Sequence, residues 1–418
     1  MPKIPSGHPD ALGPVAQGPA ASPRRRARRD AAPWTKPEVA AAAAPSEQFT
    51  FHLKPREIAR HLDRFVIGQT EAKKVLGVAL CDHFQHVRMT REGVEAPFYQ
   101  KQNVLLLGPT GVGKTHLIRS AAELIGVPFV KADATKFSET GYVGGDVDDL
   151  VRDLVRKAGG NVKRAEHGII YLDEVDKLAT RGESGGRDVS GRGVQTNLLK
   201  LMEDGDVPVV SPNDMNAQIQ NAMSTMRGNG SAQPETINTR HILFIVSGAF
   251  AGLDQRIRSR LLTAATSGTS TTDWTASKVS RLGTDALYAE AMTSDFIQYG
   301  LEPEFVGRLP VRVACHGLDA DDLFNVLRKS ESSLIHQYER AFAAYGIEVT
   351  FTDAGLRSLA RMAGQENTGA RGLMTVCERV FRDLKFALPS SRVRQFEVTP
   401  ELVADPRTAL RQLLKAGR

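Results

Sequence analysis

Asn103-Val104-Leu105-Leu106-Leu107-Gly108-Pro109-Thr110-Gly111-Val112-Gly113-Lys114-Thr115 is the stretch whose reading decides the fold. Apolar Val104 to Leu107 read as a buried strand. They run into a glycine-rich loop of the form G-x-x-x-x-G-K-T, complete from Gly108 to Thr115. His116 to Ile125 follow with apolar residues at helical spacing. Strand, loop and helix in this order make an anion cradle. The glycines let several backbone N–H groups converge on one point, and the helix N-terminus adds the positive end of its dipole. Lys114 suits the β- and γ-phosphates of ATP, and the Thr115 hydroxyl suits Mg²⁺. Gly108, Pro109, Thr110, Gly111, Val112, Gly113, Lys114, Thr115 and His116 are therefore the expected ATP-binding segment.

A second strand, Gly168 to Leu172, ends in Asp173-Glu174. Ligands of open α/β sheets sit beyond the carboxyl ends of the strands, so both acids are placed to face the phosphates. Asp173 suits Mg²⁺, and Glu174 suits orienting the attacking water. His241 to Gly248 read as a third buried strand. Strands alternating with amphipathic helices imply an α/β fold with a doubly wound parallel sheet.

Outward from this centre, residues 1–50 are rich in Pro, Ala and Arg without periodicity, and read as a disordered basic tail. Residues 51–310 form the expected large ATPase domain, with a polar insertion over 212–239. Helices are expected over 55–62, from Thr70, through Val147 to Val155 and over 198–202, with a short strand over 127–130. Residues 311–418 read as a smaller, mainly helical α/β domain: a long helix over 321–345, a strand over 347–351, helices over 353–362 and 370–388, and a strand over 394–398.

Composition narrows the class. The chain has 418 residues and a net charge of +6, but residues 1–36 hold seven Lys and Arg against two Asp. The remainder is nearly neutral, which argues against a nucleic-acid-binding surface on the folded part. Cys81, Cys315 and Cys377 stand far apart with no C-x-x-C, so neither zinc nor a disulfide framework is expected, and the thiols fit a reducing compartment. No apolar run is long enough to span a membrane. A cytoplasmic location is expected, ahead of an organellar matrix.

Several further stretches, in order, carry a resemblance. They are Val66-Ile67-Gly68-Gln69, the phosphate loop, Ala132-Asp133-Ala134-Thr135, Gly141-Tyr142-Val143-Gly144, Leu172-Asp173-Glu174-Val175-Asp176-Lys177, Arg187-Asp188-Val189-Ser190-Gly191, Gly248-Ala249-Phe250-Ala251-Gly252-Leu253-Asp254, Glu304-Phe305-Val306-Gly307-Arg308-Leu309-Pro310 and Thr368-Gly369-Ala370-Arg371-Gly372-Leu373. From about residue 55 to residue 400 the chain resembles the ClpX family of AAA+ unfoldases. The resemblance implies an AAA+ large domain and small domain assembled as a homo-hexamer that hydrolyses ATP with Mg²⁺. It implies that Val66 and Ile67 pack on adenine. It makes Arg308 an arginine finger for the neighbouring subunit and Arg371 a sensor of its own nucleotide, both catalytic beside Lys114, Asp173 and Glu174. It places Tyr142 and Val143 in a pore loop that grips unfolded or tagged protein substrates, with Arg192 in a second pore loop.

The sequence also departs from that family. The family's four-cysteine zinc domain and its Ile-Gly-Phe docking loop have no counterpart. The corresponding region, about 262–280, reads Thr263-Ala264-Ala265-Thr266-Ser267-Gly268-Thr269-Ser270-Thr271-Thr272. The 212–239 insertion replaces a basic loop, Gly191-Arg192-Gly193 reverses a charge in the second pore loop, and Gly145-Asp146 stands for Glu-Asp after the first. These departures lead to the expectation of an intact motor with altered recognition, whose delivery of substrates to a ClpP-like peptidase is in doubt. The alternatives are a genuine specificity subunit of a Clp-type protease and a nucleic-acid-remodelling AAA+ motor. The pore aromatic and the near-neutral folded part speak against the latter.

Overall fold

In chain order the strands are β1 (Val104–Leu107), β2 (Phe129–Asp133), β3 (Ile169–Asp173), β4 (Asp206–Pro208), β5 (Thr236–Asn238), β6 (Leu243–Gly248), β7 (Val311–Ala314), β8 (Glu348–Phe351) and β9 (Gln395–Val398). Five of them pair in parallel in the order β2-β3-β6-β1-β7. β1 and β6 are buried throughout and β3 up to its last residue, as inner strands covered by helices on both faces must be. The edge strands β2 and β7 are partly open. The computed structural model describes residues 50–94, 99–137, 145–179, 189–210, 235–267 and 274–416.

Alternating side chains split the sheet between two cores. Leu105, Leu107, Ile170, Leu172, Phe244 and Val246 pack under the helices Asp149–Lys157, Val189–Met202 and Leu253–Ser267. Val104, Leu106, Ile169, Tyr171, Leu243 and Ile245 pack under Pro55–Asp63, Thr70–Arg91 and Lys114–Ile125. A third core, around Leu323, Leu359, Phe381 and Leu384, belongs to the C-terminal helices and the parallel pair β8–β9. Each core is apolar and close-packed, so truncating a central Leu such as Leu359 to Ala costs about 2–5 kcal/mol.

The structure corrects five expectations. Residues 311–314 do not open the small domain. They are β7, paired with β1, and the chain leaves the sheet after Cys315. The helix expected over 321–345 is two, Ala320–Lys329 and Leu334–Ala343. Ser-Glu-Ser-Ser at 330–333 breaks it, because serine hydroxyls compete for helix backbone groups. Ser333 donates to the Leu327 carbonyl and accepts from the Ile335 N–H. The strand expected at 127–130 runs instead from Phe129 to Asp133. The expected hydroxyl-rich loop is helical as far as Ser267, with Thr263 and Thr266 bonded back to the carbonyls of Ser259 and Leu262. The polar insertion returns as β5, antiparallel to β4 with Ile237 buried. The tail and the rest of the insertion lie outside the described residues.

Beyond the amino ends of β3 and β6, His83, His86, His167 and His241 cluster with Tyr99. His83 meets the Tyr99 hydroxyl at 3.3 Å and the His241 carbonyl at 3.0 Å, and His86 stacks on Tyr99. Burial pushes His83 down to about 3, and His167 and His241 to about 4, from an ordinary 6.5. These rings are neutral in the folded chain and become charged on unfolding. Below pH 6.5 the unfolded state binds more protons, so stability falls as pH drops from about 6.5 towards 4 and is insensitive to these groups above that window. Thermal melts at pH 7.5 and pH 5 should show a clear loss at the lower pH, and His83→Gln should flatten the slope. A melting temperature unchanged between the two would refute this.

Candidate functional site

The phosphate loop sits where the sequence places it, at the carboxyl end of β1. Gly108, Gly111 and Gly113 all have positive φ, which only glycine adopts cheaply. A side chain at Gly108 would meet the Cys315 carbonyl at 2.3 Å, and one at Gly111 the Thr368 carbonyl at 2.1 Å. The loop is therefore clamped between β7 and the small domain. Lys114 is the first residue of its helix, and its side chain turns back on the loop, donating to the carbonyls of Gly108 at 2.5 Å and Pro109 at 2.8 Å. Burial lowers its pKa, opposed by the nearby Cys315, Asp173 and Asp176.

β6 separates β1 from β3, so its carboxyl end lies between the loop and the acids. Ser247 there, fully buried, donates to Asp173 Oδ1 at 2.5 Å and lies 2.7 Å from the Tyr171 hydroxyl. Asp173 Oδ1 also accepts the Glu174 N–H at 3.1 Å. Its other oxygen, Oδ2, faces the Thr115 hydroxyl at 3.5 Å. One carboxylate oxygen is thus fixed by the fold and the other faces Thr115. Glu174 holds φ 61°, a left-handed conformation rare outside glycine and characteristic of functional turns. That twist ends β3 and turns Glu174 into the cavity.

This cavity, about 570 Å³, joins both domains. Val66 and Ile67 line one end with Leu318 and Val326, an apolar slot suited to a base. Gln69 holds that segment to the hinge: it donates to the His316 carbonyl at 2.8 Å and accepts the His316 N–H at 2.9 Å. The serine break docks on it too, with Ser330 donating to the Phe65 carbonyl and Glu331 paired twice with Arg64. His116 meets Ser332 at 2.9 Å. At the phosphate end, the Ala370 N–H donates to the Gly111 carbonyl at 2.9 Å. That bond seats the helix Ala370–Ala387 on the loop and puts Arg371 in the cavity wall.

All the expected nucleotide residues except Gly108 and Pro109, whose carbonyls hold Lys114, line this cavity, together with Asp173, Glu174 and Arg371. Arg308 does not. It lies half-exposed at the end of the helix Pro303–Gly307, ion-paired with Glu203, its carbonyl held by Asn103. Arg192 is on a helix, not in a loop, 3.2 Å from Glu302. Tyr142 and Val143 lie outside the described residues. Sequence reading missed Lys131 and the pairing of Gln69 with His316, and took Ser247 only as a small polar residue ending its strand. Lys131, two residues before Asp133 on an edge strand, could have been found by noting that the alternation turns it to the same side as that acid.

A glycine-rich loop, an acidic turn and an arginine of the helical domain lining one cavity fit an AAA+ ATPase, and the comparisons agree. A family model described as AAA domain (Cdc48 subfamily) matches residues 99–312. The ATP-dependent Clp protease ATP-binding subunit ClpX 3 of Methylococcus capsulatus (strain Bath) is 39% identical over 376 residues, 87% of this chain and 84% of that protein. The subunits named ClpX of Borrelia duttonii and Borrelia recurrentis are each 38% identical over 369 residues, 87% of this chain and 81% of theirs. The chain belongs to the ClpX family of AAA+ unfoldases.

The seat of the small domain on the loop depends on Gly369, whose φ is +59° and whose substituted Cβ would meet the Gly111 carbonyl at 2.8 Å. Forcing a side chain there costs about 1–3 kcal/mol in the docked arrangement. Gly369→Ala should therefore weaken ATP binding by about tenfold or more in a fluorescence titration, with far-UV circular dichroism unchanged. Gly317→Ala, where a Cβ meets nothing within 4 Å, is the control. Equal affinities in the two variants would show the seat to be dispensable.

Proposed function

We propose that this chain is a ClpX-like motor that couples ATP hydrolysis to threading a polypeptide through the pore of a homo-hexamer. The observation that carries the reading is the cavity shared by the phosphate loop, the Asp173–Glu174 turn and Arg371 of the small domain. Val66 and Ile67 flank the base. Lys114 and the loop amides hold the phosphates, and Thr115 with Asp173 would hold Mg²⁺, which would supply positive charge beside them. A hydroxyl and a carboxylate oxygen 3.5 Å apart are the hard oxygen donors that this ion prefers. Glu174 orients the water, and Arg371 reports the γ-phosphate to the small domain.

Arg308 completes the site of the next subunit. Its absence from its own cavity supports a role in trans, and a closed ring of head-to-tail contacts supplies such a role. Its pairing with Glu203 is half-exposed, so releasing it costs only about 0.2–1 kcal/mol. Tyr142, between glycines, takes the mechanical work to the polypeptide. A cytoplasmic setting fits the three buried free thiols.

A second reading adds a peptidase partner, which the relatives' designation as Clp protease subunits favours. Unfolding of a tagged fluorescent protein tests the motor, and degradation of it with ClpP tests the partner. Glu174→Gln should bind ATP normally and lose turnover by about 10²–10⁴-fold. Tyr142→Ala should keep hydrolysis and lose unfolding. Unfolding by Tyr142→Ala at the unmodified rate would overturn the threading assignment, and brisk turnover by Glu174→Gln would remove Glu174 from its role.

A further inference from the structure

Lys131 has no part in the roles given above, yet it stands at the centre of the charged site. It is the third residue of edge strand β2, in register with Tyr171 of β3. That register sends its side chain over the carboxyl end of the sheet, and it lines the cavity. Its ammonium is 3.3 Å from the Thr115 hydroxyl and 3.6 Å from Asp173 Oδ2. Those two oxygens are themselves 3.5 Å apart. The three atoms form a near-equilateral triangle, with the lysine on the very pair of oxygens assigned above to Mg²⁺.

We propose that Lys131 is a positioning residue that holds Thr115 and Asp173 in place of the divalent cation and competes with it for them. The proposal rests on the nucleotide-site reading given above. Three carboxylates, Asp173, Glu174 and Asp176, line the cavity, and an incoming triphosphate adds further negative charge. Without a divalent ion, a fixed ammonium on Asp173 lessens the repulsion that nucleotide must overcome. With the ion present, two cations claim one carboxylate oxygen, and the side chain, 37% exposed, has room to move off toward the phosphates. The other oxygen of Asp173 stays fixed by Ser247 and the Glu174 amide, so the exchange leaves the turn intact.

Two consequences distinguish this from a purely structural lysine. ATP binding is less dependent on Mg²⁺ than in a site without the lysine, and Mg²⁺ is bound less tightly. The test measures affinity for a fluorescent ATP analogue in EDTA and in saturating Mg²⁺, and the free Mg²⁺ that half-saturates hydrolysis, on the full chain. Lys131→Met should lose roughly tenfold in affinity in EDTA and change less than about twofold in Mg²⁺, while its half-saturating Mg²⁺ falls severalfold. Lys131→Arg should behave as the unmodified chain. Lys131→Gln, checked by thermal melting, repeats the measurement should the methionine variant fold poorly. Equal losses with and without Mg²⁺, or no change in either, would overturn the proposal. A chain that binds no ATP even in saturating Mg²⁺ would instead overturn the nucleotide-site reading beneath it.

Discussion

A backbone hydrogen bond from the Ala370 N–H to the Gly111 carbonyl joins the glycine-rich loop to the small domain. Both partners are held by glycines at positive φ, Gly111 and Gly369, packed so closely that neither tolerates a side chain. The contact therefore exists in one geometry only. Whatever moves the loop moves the start of the helix Ala370–Ala387, and with it Arg371 and the third hydrophobic core.

The second tether lies beside Val66 and Ile67. Gln69 grips both backbone groups of His316, and the serine break at 330–333 docks on Arg64 and Phe65. Among the described residues, the small domain is thus tied to the sheet domain by polar contacts at two places along the cavity. Such a joint responds to its ligand because polar contacts of this kind rearrange at low cost, whereas the three cores remain rigid.

The sheet and the position of its glycine-rich loop were legible in the sequence because they are local. Gly108 to Thr115 carries its own conformation, and the apolar run before Asp173-Glu174 announces both strand and acid. What stayed hidden depends on pairing between distant segments. Val311–Ala314 looked like the start of a domain, because four residues give no sign that they will pair with β1 two hundred residues earlier. The break at 330–333 was masked by apolar spacing that continues through it. Lys131 drew no notice and Ser247 read only as a small polar residue ending a strand, and only the order β2-β3-β6-β1 brings them to Asp173. Arg308 was legible as part of a motif, but its pairing with Glu203 was not.

The central claim is that nucleotide sets the orientation of the small domain through the seat at Gly111 and Ala370. Spin labels at Val78 on the sheet domain and Phe386 on the small domain, both exposed, measure it by electron–electron double resonance; the three native cysteines are buried. Labelled Glu174→Gln chains diluted into unlabelled ones would be compared with and without ATP. The account predicts a distance distribution that shifts and narrows with ATP, and a shift that Gly369→Ala abolishes. An identical distribution in both conditions, in a chain shown to bind ATP, would contradict it.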